Sequence, residues 1–217
     1  MLEGLLHKDD SELGWEEYAW LFGPHLPAGT YEEVVYFLPK AFSHLKYNEE
    51  GALDLVDAVF GFCSRNIERL RDDGLDSAVE QQIMECLKHW AREFRVKHHD
   101  AGMCAEKGWR LDYFDTVKNT ETICEGTTVL AKFETLSPLA IEFTRFLAFH
   151  NGEITRASWF IELSRARFDV YRPPDLPEIQ RLLSDRDMLR EACEVIGPEA
   201  REQNDTYWRD TLRKLDL

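Results

Sequence analysis

The chain has 217 residues, 44% hydrophobic and 31% charged, a balance that suits a folded globular protein and excludes a disordered one. With 41 acidic against 26 basic residues the formal net charge is −15, so phosphate backbones and anionic lipid surfaces repel it, and neither nucleic acid nor membrane is an expected partner. Apolar runs such as Val34–Leu38 stop far short of the roughly 18 residues a membrane helix needs. MLEGLLHKDD lacks the basic and apolar regions of a secretory signal, so a cytoplasmic location is expected.

The negative charge is concentrated early: residues 1–50 carry ten acidic and three basic side chains. The segment GWEEYAWLFGPHLP (14–27) sets Trp15, Tyr18 and Trp20 beside Glu16 and Glu17. Aromatic side chains of this kind are enriched where proteins bind one another, and carboxylates around them select a basic partner. The alternative is that these aromatics only dock their helix on the core. Thr30 and Glu33 then form a capping box, with Glu32 between them, and an apolar stripe predicts a helix over Tyr31–Leu45. Pro39 either kinks that helix or starts a second one.

A broad stripe from Leu55 to Leu70 predicts one central helix over Ala52–Leu70. After Asp72-Asp73-Gly74, Ser77 is the expected cap of a helix running to Val96, with Val79, Ile83, Leu87, Trp90 and Phe94 along its seam. An irregular connector over 101–126 separates an N-terminal half (1–100) from a C-terminal half (127–217) within one domain. The second half restarts near Thr127–Leu136. Ser137-Pro138 introduces a helix over Leu139–His150, and Asn151-Gly152 ends it. Asn-Gly is also a strong hairpin signal, so a small hairpin near 143–161 in an α+β fold is the alternative. Further helices are expected at 177–183, at 185–196 between a Ser184 cap and a Gly197-Pro198 stop, and at 204–215. The sum is an all-α fold of about 8–10 helices, as a bundle or an irregular solenoid-like stack.

Five cysteines, odd in number, widely spaced and without a CxxC pair, read as reduced thiols acting as small hydrophobes. Glu85 and His89, four residues apart on one helix, form half of an acid–base arrangement, or simply a stabilising surface pair. His98, His99 and Asp100 are metal-competent by atom type. Adjacent helical side chains diverge by about 100°, however, and no recognised ligand spacing occurs. Their place at a helix end, with Lys97, has a capping explanation. Cys104 beside them is the one loop thiol whose surroundings favour reactivity. No phosphate loop, dinucleotide fingerprint or nucleophile elbow is present, and nothing calls for a cofactor.

The expectation is therefore a non-enzymatic acidic binding protein that engages a basic protein partner, of inhibitor or immunity type. The alternative is a small helical hydrolase or metal-dependent enzyme built on the cluster around 85–104. Homo-oligomerisation stays open.

Overall fold

A computed structural model describes residues 7–8, 13–23, 30–47, 52–93, 123–168, 172–203 and 205–217. Among them the chain forms helices joined by short turns, without a strand, as the all-α reading expects. The N-terminal helices are α1 (Trp15–Phe22), α2 (Tyr31–Tyr47), α3 (Ala52–Arg65), α4 (Ile67–Asp72) and α5 (Asp76–Glu93). Residues 123–131 are helical and form α6. There follow α7 (Ser137–Ala148), α8 (Ile154–Ala166), α9 (Pro177–Leu183), α10 (Arg186–Gln203) and α11 (Asp205–Leu215).

Several local rules act as the sequence indicates. Thr30 N–H donates to Glu33 Oε2 at 2.6 Å and Glu33 N–H returns to Thr30 Oγ1 at 3.3 Å, closing the capping box of α2. That helix runs unbroken through Pro39, whose ring is exposed. Val34, Phe37, Leu38, Ala41, Phe42 and Leu45 bury its other face against α3 and α5. The five larger of these side chains, at about 1.5–3 kcal/mol each, exceed the roughly 3 kcal/mol cost of an interior proline.

Elsewhere the chain departs from expectation. The single helix expected over Ala52–Leu70 breaks at Asn66, whose side-chain N–H donates to the Phe62 carbonyl at 2.8 Å and so competes with the helix. Helix α5 starts at Asp76, placing Ser77 inside it. The cause is the turn before it, in which Gly74 adopts φ +72° and Leu75 N–H reaches Leu70 O at 2.7 Å. Ser137 is the first residue of α7 and bonds back to Glu134 O at 3.0 Å. Asp185, not Ser184, caps α10, accepting the N–H groups of Asp187 and Met188 at 3.1 Å each. Gly197-Pro198 does not stop α10, which packs on α8 and α11.

The hairpin alternative is overturned. Asn151 (φ 51°) and Gly152 (φ 79°) both turn left-handed, and they join two helices. Helix α8 misleads because ten of its thirteen residues are buried, so it shows no polar face. It packs against α5, α7, α9, α10 and α11. The charged side chains it buries are paired: Glu162 meets Arg165 at 2.6 Å, and Arg156 meets Glu153 at 3.0 Å. The buried apolar residues form one cluster drawn from helices at both ends of the chain, with Trp90 of α5 and Trp159 of α8 its largest fully buried side chains. No helix among the described residues is long and apolar enough to cross a membrane.

Candidate functional site

Glu85 accepts from Gln81 Nε2 at 2.9 Å and from Lys46 Nζ at 3.5 Å, and these neighbours, Gln81 foremost, hold its carboxyl below the usual range. The carboxylate is thus engaged across to α2. His89 is half-buried on the same helix. Among the described residues no group of three His, Cys, Asp or Glu side chains converges as a metal set. His98, His99, Asp100 and Cys104 lie outside the described residues, as does most of the connector over 101–126.

No described cysteine is in a disulfide; Cys63, Cys86 and Cys124 are buried and Cys193 is half-buried. Burial raises the Cys63 thiol, pushes Cys86 up to about 12 and Cys193 up to about 11, so all three are protonated and unreactive at neutral pH.

The aromatic segment divides between core and surface. Tyr18, Leu21 and Phe22 are buried, Trp20 is half-buried and Glu16 is exposed; the side chain of Trp15 lies outside the described residues. The Tyr18 ring centroid is 5.2 Å from that of His44 on α2, and Phe22 meets Phe62 of α3 edge-on at 5.4 Å. Phe62 in turn stacks on Tyr31 at 6.2 Å. These contacts run α1 antiparallel to α2. Glu17 is absorbed locally, accepting Gly14 N–H at 2.9 Å and Lys8 at 2.8 Å, which lowers its pKa through the Lys8 bond first. Glu16–Glu17 and Glu32–Glu33 therefore sit at opposite ends of α2. The thirteen residues from Tyr31 to His44 imply a separation on the order of 20 Å.

At the Glu32 end the fold assembles what the linear sequence does not show. Tyr31 Oη donates to Asp73 at 2.9 Å, and the Arg69 guanidinium lies 3.7 Å from the Tyr31 ring centroid while pairing with Glu32. Burial and then the bond to Asp73 push the Tyr31 hydroxyl up to about 12. Arg71 pairs with Glu68 at 2.7 Å and with Asp76 at 3.4 Å. Arg65, at the end of α3, folds back over Gly61.

The start of α2, the whole of α4 and the turn after it thus gather Glu32, Glu33, Glu68, Asp72, Asp73 and Asp76 around two arginines. Asp76 is half-buried and the other five are exposed. Of the 41 acidic and 26 basic residues in the chain, 23 and 20 have described side chains. Removing the patch's six acids and two arginines leaves 17 acids against 18 bases. The patch therefore accounts for the negative surplus of the described side chains.

No protein-family model, no curated protein and no solved structure matches this chain.

Proposed function

We propose that this chain is a non-enzymatic helical binding protein whose acidic patch at the α2 start and α4 takes a basic protein partner, in the manner of an inhibitor or immunity-type protein. The observation that carries the reading is the clustering of six carboxylates around two arginines at one place, while the other described side chains are nearly balanced in charge. Six carboxylates anchored on helix ends and one tight turn present a focused field, which steers a cationic partner and favours its correct orientation. The arrangement also limits ordering cost on binding, because Glu32, Glu68, Asp73 and Asp76 are already held by Arg69, Arg71 and Tyr31. Glu33 and Asp72 are exposed and, among the described residues, engage no cation, which leaves them open to a partner's.

The test is affinity capture from the source cell with the wild-type chain and with the triple variant Glu33→Gln, Glu68→Gln, Asp72→Asn. Glutamine at position 33 preserves the capping geometry. The expected result is a basic protein retained by the wild type, released by salt and lost from the variant. A neutral or acidic protein retained equally by both chains would overturn the reading.

A further inference from the structure

The turn joining α7 to α8 rests on one histidine. Across residues 149–154 only His150 is buried, at 1% exposure, while Phe149 and Ile154 stand 55% and 45% exposed. The flanking apolar side chains therefore add little to the anchoring of this turn, and Asn151 holds a left-handed conformation that non-glycine residues rarely adopt. His150 Nδ1 accepts the Gly152 N–H at 3.2 Å, which places the ring proton on Nε2. Nε2 is itself buried and has no hydrogen-bond partner among the described residues.

A second proton on this ring finds no place in the closed turn. Protonated Nδ1 turns from acceptor to donor and faces the Gly152 N–H, so the bond is lost and, among the described residues, neither ring N–H has an acceptor. The C-terminal carbonyls of α7 offer no relief. Arg156 from α8 already donates its Nε to Phe146 O at 2.9 Å, reaches Phe149 O with its terminal nitrogen, and stacks 4.0 Å from the Phe146 ring centroid.

The charged groups around the imidazole oppose one another. Burial is the largest influence and favours the neutral ring; Glu191 from α10 and Glu153, which precedes α8, favour its cation, while Arg156 disfavours it. On the other packed sides, Arg145 of α7 pairs with Glu178 of α9, and Lys88 and Arg92 of α5 lie over Phe146 one turn back.

We propose that His150 is a proton-released latch: neutral, it pins the left-handed Asn151-Gly152 turn, and on protonation it lets the α7–α8 junction open locally while the rest of the fold stays closed. The device stands apart from the acidic patch.

Hydrogen exchange of residues 149–154, corrected for intrinsic rates, tests it at pH 7.5 and pH 5.5 against the α3 core. With an ordinary imidazole pKa near 6.5 in the open turn, opening is expected to rise by up to about tenfold over that interval, with α3 unchanged. In His150→Asn, whose side-chain oxygen keeps an acceptor without titrating, the rise is expected to vanish. Glu191→Gln, a change on the exposed surface, removes a carboxylate that favours the cation in the closed turn, so the rise between pH 7.5 and pH 5.5 is expected to be at least as large as in the wild type. It decides the matter should the His150 variant fail to fold. Equal protection at both pH values, a parallel change in α3, an undiminished response in His150→Asn, or a smaller rise in Glu191→Gln would each overturn the latch.

Discussion

Arg156 shows how a charged side chain becomes a structural part at the scale of one residue. Its fork satisfies the Phe146 and Phe149 carbonyls at the end of α7, where helix geometry leaves such groups without partners, and its face covers the Phe146 ring. Lysine carries the charge but neither the fork nor the flat face. Arg156→Lys is therefore expected to destabilise the fold by about 2–4 kcal/mol, read as a lower urea midpoint at unchanged slope. His150 sets a pH dependence whose sign follows from its lowered pKa. The unfolded chain takes up the proton first, so this contribution is complete above about pH 6.5 and is lost as pH falls towards the lower folded value. Unfolding followed from pH 7.5 to pH 5 is expected to show stability falling, with a shallower fall in His150→Asn. Neither residue was legible as structural in the sequence, because their partners are backbone groups that only the α7–α8 turn brings near.

At the scale of elements, signals confined to one helix end were readable and signals that compete with packing were not. The Thr30–Glu33 box and the Pro177–Leu183 helix follow from adjacent residues alone. Pro39 and Gly197-Pro198 looked like interruptions, yet α2 and α10 pass through both, held by the neighbours they pack against. Pro39→Ala is expected to stabilise the fold by about 1–3 kcal/mol, since it restores a helical hydrogen bond on an exposed face, and a raised melting temperature would report it. The two glycines that matter do so for different reasons. Gly74 sits at φ +72° in open space, so Gly74→Ala is expected to cost about 1–2 kcal/mol through backbone strain alone. At Gly126 an added Cβ meets Phe60 at 3.3 Å and Leu87 and Val56 at 3.4 Å, so the limit there is the close approach of α6 to α3 and α5.

At the scale of the molecule, the acidic N-terminal fifty residues were visible as a composition bias, but their distribution in space was not. Glu16–Glu17 and Glu32–Glu33 both belong to the acidic first fifty residues of the sequence and stand at opposite ends of α2 in the fold. Glu32 and Glu33 instead join carboxylates some 35 to 44 residues later, a juxtaposition made by the docking of α4 beside the start of α2 through Tyr31, Arg69 and Asp73. That assembly is the basis for reading the chain as a partner-binding protein. The most direct test is the salt dependence of the dissociation constant for the captured basic partner, measured between about 50 mM and 500 mM salt on the wild type and on the Glu33→Gln, Glu68→Gln, Asp72→Asn variant. Screening shortens from about 14 to about 4 Å over that range, so the wild type is expected to weaken by at least tenfold and the variant to start weaker and respond less. Wild-type affinity that stays constant across the range, or a variant that matches it at every salt concentration, would contradict the proposal.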